Sequence, residues 1–191
     1  MKKNGFTLVE LLAVIVILGM TITIVAVKID KNLKDTNKFS NTQLISTIED
    51  AAYLYAETYD NELTNLNTYN VDVVTINTLI EKGLLDKKNL KNISFSEKVI
   101  IANINGLLKT KYVGSNNNAI FLNGGSEVSI YKGEIYSELG AYIAIPNTGL
   151  DTLSSSNITS NINTSTVGRY EVKYTYSNAK TEKRTVNVLN K

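Results

Sequence analysis

An apolar run from Phe6 to Val27, carrying the single charge Glu10 and following the basic leader Met1-Lys2-Lys3-Asn4-Gly5, sets the strongest constraint on what this chain can fold into. As a helix it spans roughly 33 Å, enough to cross a hydrocarbon core of about 30 Å. A carboxylate near the end of such a segment costs roughly 2.5 kcal/mol or more on insertion scales, so it calls for a partner or a function. Lys2 and Lys3 stay cytoplasmic by the positive-inside rule. An ordinary secretory signal is cut after its apolar region. Here the small residue Gly5 precedes that region, so a cut between Gly5 and Phe6 removes the leader and keeps the helix. The alternative is a plain single-pass anchor with Glu10 snorkelling to the interface, which gives Gly5, Phe6 and Glu10 no joint role.

The run Lys2-Lys3-Asn4-Gly5-Phe6-Thr7-Leu8-Val9-Glu10-Leu11-Leu12 resembles the N-terminus of type IV prepilins and pseudopilins. That resemblance implies cleavage after Gly5 by prepilin peptidase, N-methylation of the new terminus Phe6, and an assembly role for Glu10. The chemistry agrees with it. The cut creates an α-amino cation, and in a bundle of parallel helices a neighbour's Glu10 can pair with it. Each charge is costly alone, so the pair favours staggered subunits, and a stagger that never closes gives an open helical filament. Gly19 lies inside the helix, either as a point of flexibility in the filament or as the glycine common in transmembrane helices. The partners implied are further copies of the chain, prepilin peptidase, an assembly platform with its ATPase, and the membrane.

Composition narrows the rest. The 191 residues carry a net charge of +2, which gives no electrostatic case for nucleic acid outside a DNA-uptake role. Histidine and cysteine are both absent, which excludes disulfides, zinc sites built on those ligands and nucleophile–histidine catalysis. Asp50, Asp60 and Glu97 read as solvated surface charge, with no glycine-rich phosphate loop or metal-spaced cluster beside them. We therefore expect no enzyme activity, no cofactor and no metal.

Beyond the anchor, Leu44, Ile48, Ala51, Ala52, Tyr55 and Tyr59 recur at spacings of three and four. This predicts one long helix over residues 6–59, with 6–27 in the membrane or fibre core. Tyr53, Tyr55 and Tyr59 read as the edge of a core. A small head over 60–113 follows: an extended piece at Val71, Val73 and Val74, a short helix ended by Gly83, and a hairpin turning at Asn105-Gly106.

Residues 114–118 form a polar break of linker type. From 119 to 191 strand-length runs recur without helical period: Ala119 to Leu122, Glu127 to Tyr131, Tyr142 to Ile145, Asn157 to Ile162, Arg169 to Tyr176 and Thr181 to Leu189. The blocks Ile120 to Gly124, Val128 to Gly133, Tyr136 to Ala141, Thr166 to Tyr174 and Arg184 to Val188 resemble the immunoglobulin-like domains of bacterial surface proteins. Glu138 and Asp151 stand where that family gathers acidic residues, but Asn147 and Asn157 hold neighbouring places, so too few carboxylates remain for calcium.

The expected fold is α+β: a leader at 1–5, a long N-terminal helix packed on a small α+β head, and an all-β immunoglobulin-like sandwich. The expected function is a structural subunit of a type IV pilus-like filament, first in the cytoplasmic membrane and then at the cell surface. Its C-terminal domain is free for a surface or host ligand. Two alternatives stay open: a minor pseudopilin of a type II secretion or DNA-uptake apparatus, and a membrane-anchored adhesion module that never polymerises.

Overall fold

Sequence alternation explains most of the architecture in the computed structural model, which describes residues 41–191. Helix α1 is seen from residue 41 and runs to 58. Its buried residues Ile48, Ala51, Ala52, Tyr55 and Ala56 make one stripe at spacings of three and four. Two short helices follow, α2 (Thr64–Tyr69) and α3 (Ile76–Glu81). Thr75 caps α3, its hydroxyl accepting from the Thr78 N–H at 3.2 Å, and Gly83 at φ +72° lets the chain leave.

The strands are β1 (Val71–Thr75), β2 (Lys98–Ile104), β3 (Leu107–Gly114), β4 (Ala119–Leu122), β5 (Glu127–Tyr131), β6 (Ala141–Ile145), β7 (Gly149–Thr152), β8 (Ile158–Ser160), β9 (Gly168–Tyr174) and β10 (Glu182–Leu189). They make three sheets, ordered β1-β2-β3, β4-β6-β7 and β5-β10-β9-β8. The β2–β3 hairpin turns on Asn105 at φ +54° and Gly106 at φ +83°, the pair of left-handed positions that an Asn-Gly turn supplies. All strand pairs are antiparallel except β5 with β10.

The middle sheet is covered on both faces. Ala119 and Phe121 of β4 and Ala144 of β6 join Val71, Ile100, Ala102, Ile104 and Val113 of the first sheet in one cluster. The alternate residues Ile120, Ala141 and Ile143 join Val172, Tyr174 and Val186 of the third sheet in another. A strand buried on both sides reads as an unbroken apolar run, as Ala119-Ile-Phe-Leu122 does. The solvent-facing edge strand β5 alternates instead.

The remaining face of the first sheet carries α1. On β3, Thr110 and Tyr112 stand opposite in phase to Val113, and they hold the helix. The Thr110 hydroxyl donates to the Glu49 carbonyl at 3.0 Å, and the Tyr112 N–H donates to the Glu49 carboxylate at 2.9 Å.

Two expectations change. The α+β class led by a long N-terminal helix does not stand. Among the described residues the longest helix is α1, about 18 residues, and β-structure dominates. The part of the expected helix from Phe6 to Ser40, with the transmembrane segment 6–27, lies outside the described residues. The described helix is the stretch with the densest apolar stripe. Among the other described residues the helices are short and most of the regular structure pairs as strands. Secondly, the polar break at 114–118 is not a free tether. It turns the chain between two sheets that share a core, with the Asn117 and Asn118 N–H groups both donating to the Asn178 carbonyl. Residues 45–191 accordingly form one compact unit.

Candidate functional site

Gly5, Phe6, Glu10 and Gly19, the residues singled out for cleavage, methylation, assembly and helix flexibility, lie outside the described residues. No helix among the described residues is long and apolar enough to cross a membrane. Of the tyrosines on α1, Tyr55 is buried and stacks on Tyr59 with ring centroids 5.3 Å apart, while Tyr53 and its neighbour Leu54 are exposed. The Tyr55 hydroxyl donates to Glu62 at 2.9 Å, and burial together with that bond pushes its pKa up to about 12. Helix α1 therefore has a docked face and an outward face on which Tyr53 and Leu54 are exposed among polar residues.

The carboxylates read as solvated charge have unequal fates. Asp50 and Asp60 are exposed. Glu97, by contrast, accepts a hydrogen bond from the Tyr112 hydroxyl. Glu49, not singled out from sequence, is more telling. It ties α1 to β3, and burial pushes its pKa up despite the bond from Tyr112 and the nearby Lys111. Lys111 in turn pairs with Glu182 of β10 at 2.8 Å, linking the first sheet to the third.

The most concentrated polar chemistry among the described residues surrounds Arg184, which is fully buried. Its Nη1 donates to Glu138 at 2.5 Å and to the Tyr174 hydroxyl at 2.6 Å. Its Nε donates to the Gly125 carbonyl at 3.0 Å, and its Nη2 to the Asn123 carbonyl at 2.6 Å. Glu138 also accepts from the Tyr174 hydroxyl at 2.5 Å, the Tyr136 hydroxyl at 2.7 Å and the Gly140 N–H at 2.7 Å. Burial alone would raise the Glu138 pKa. The three donors and the Arg184 charge outweigh it and hold the carboxyl below its usual range. Burial and the bond to Glu138 push the Tyr174 hydroxyl up.

This cluster fastens residues 133–140, which contain no strand or helix, to the end of the sandwich, leaving Ile135 at their centre 93% exposed. With both Glu138 oxygens engaged, the carboxylate is occupied by protein donors rather than open to a cation. Sequence reading placed Glu138 but missed Arg184. The signal was present: Arg184 is in phase with Val186 and Val188 on the inward face of β10, where a charge demands a buried partner.

Residues 1–26 match the prokaryotic N-terminal methylation motif, and residues 120–188 match the Ig-like domain of bacterial surface proteins. Among solved structures, a lipoprotein from Bacteroides thetaiotaomicron aligns at 24% identity with a TM-score of 0.32. The alignment covers 38% of this chain and 38% of that one, so the chain spans well under half the length of that structure. No curated protein matches the chain.

Proposed function

We propose that this chain, which combines a prepilin-type N-terminal methylation motif with a bacterial surface Ig-like domain, is a structural subunit of a type IV pilus-like surface filament. The observation that carries the reading is the N-terminal motif itself, with Gly5, Phe6 and Glu10 at its working positions. In that reading prepilin peptidase removes Met1 to Gly5, Phe6 is methylated, and the retained apolar segment holds the precursor in the cytoplasmic membrane. An assembly platform and its ATPase then draw the segment into a fibre, where Glu10 of one subunit meets the Phe6 amine of another.

Two features of the described residues fit. Helix α1 is docked to the first sheet through Glu49, so a pull on the N-terminal segment is passed to a folded body rather than to a loose tether. Its outward residues Tyr53 and Leu54 offer apolar area to a neighbouring subunit.

The decisive experiment is Glu10→Ala in the native host. Cleavage, read as a mass starting at methylated Phe6, should persist, while incorporation into sheared surface fibres should fall at least tenfold. Fibre yield equal to wild type would refute the assembly role of Glu10. An intact Met1 start in the presence of active peptidase would refute processing altogether. A pseudopilin role is favoured instead if the chain is recovered only at the tips of fibres formed by another subunit.

A further inference from the structure

Three turns and the start of a strand converge beside the shared core on a cleft of about 420 Å³, within the range of about 300–1,000 Å³ common for small-molecule sites. We propose that this cleft binds an N-acetylated amino sugar. Its polar wall is made of amides: Asn117 and Asn118 from the segment after β3, Asn147 from the β6–β7 turn and Asn178 from the β9–β10 turn. Lys98, at the start of β2, is the one charge, and no carboxylate stands among the described lining residues. Val73, Ile145 and Pro146 supply an apolar patch.

Turn geometry accounts for part of this asparagine cluster but not all of it. Asn147 at φ +63° and Asn178 at φ +52° occupy left-handed positions that asparagine tolerates well. Asn117 and Asn118 do not, so the backbone gives no reason for amides there.

The hydrogen-bonding capacity left in the cleft is mixed. Asn117 uses its carbonyl oxygen on the Lys98 ammonium at 2.8 Å and keeps its N–H groups. Asn118 uses its Nδ2 on the Ser177 carbonyl at 2.9 Å and keeps its oxygen. Asn147 accepts from Asn65 at 3.2 Å and keeps its N–H groups, and the Asn178 amide bonds to no described residue.

Paired donors and acceptors beside an apolar patch match an acetamido group, which presents a carbonyl, an N–H and a methyl within one small plane. The remaining sugar hydroxyls can both give and accept. A cationic ligand is disfavoured by Lys98 and by the missing carboxylate.

This inference is independent of fibre assembly and is tested on the full chain in detergent micelles. Titration with the trimer of N-acetylglucosamine, followed by calorimetry and by NMR, should give saturable binding with a dissociation constant on the order of 1 mM or tighter. Contacts should run from the acetyl methyls to Val73 and Ile145. The glucose trimer, which lacks acetamido groups, should bind at least tenfold more weakly.

Asn178→Gly, which keeps the left-handed backbone, and Asn117→Ser should each weaken binding about fivefold with an unchanged thermal midpoint. No saturable binding by the N-acetylated trimer overturns the proposal. So does equal binding of the two trimers, or contacts mapping elsewhere on the protein. Unchanged affinity in both variants also overturns it.

Discussion

Replacing Arg184 with methionine is the sharpest test of how the sandwich end is held together. The substitution keeps much of the side-chain volume and removes a buried cation whose side chain is 0% exposed, against 28% for its partner Glu138. Breaking a buried pair from one side costs about 3–5 kcal/mol, because the other charge is left uncompensated. Two terms adjust this figure. Glu138 keeps the Tyr174, Tyr136 and Gly140 donors and some water, which softens the loss. The carbonyls of Asn123 and Gly125 lose their Arg184 donor, at about 1–3 kcal/mol for each that stays dry.

We expect a net loss of about 4 kcal/mol, a large share of the 5–15 kcal/mol typical of a domain. For a unit of this size that lowers the thermal midpoint by about 8–16 °C. Calorimetry or circular dichroism melts of wild type, Arg184→Met, Glu138→Gln and the double variant close a cycle. Its coupling should be about 1–3 kcal/mol. A midpoint shift below about 3 °C for Arg184→Met, or additive effects in the cycle, would refute the claim that Arg184 and Glu138 act as a unit.

Other outcomes follow from the same contacts. The folded-state pKa of Glu138 is lowered from 4.5, so its contribution is full above that value and is lost as pH falls through the lowered one. Wild type should therefore lose stability faster than Glu138→Gln below about pH 4.5, as acid melts will show. Glu49 has the opposite sign. Its pKa is raised from 4.5, so ionisation opposes folding, and stability should rise as pH falls through the raised value toward 4.5. Glu49→Gln, which retains an acceptor for the Tyr112 N–H, should flatten that rise and be neutral to about 1 kcal/mol stabilising at pH 7, measured by urea unfolding. Phe121→Ala should cost about 3–5 kcal/mol and shift one cooperative transition of the whole 45–191 unit, because Phe121 sits in the core shared by two sheets; two separate transitions would refute that sharing. Gly106→Ala should cost about 1–2 kcal/mol from its φ of +83° alone, since nothing lies within 4 Å of the added carbon, as equilibrium unfolding will report.

Local signals in this chain could be read directly from residue order. The N-terminal methylation motif matched over residues 1–26 depends on spacing along one segment and needs no third dimension. The Asn105-Gly106 turn was legible because few residue pairs accept two left-handed positions, and the run Arg169 to Tyr176 read as a strand overlaps β9, whose Val172 and Tyr174 line the second core. What the chain order did not carry were the relations between sheets. The polar stretch 114–118 has a linker's composition, yet it is held at Asn178 because Phe121 and Ala144 must cover the first sheet. Nothing local in Ala119-Ile-Phe-Leu122 says that its two faces enter different cores. Arg184 likewise looks like an ordinary strand cation until Glu138, 46 residues away in sequence, closes over it. A buried charge is tolerable only where the fold supplies its partner, and that meeting is decided by tertiary packing.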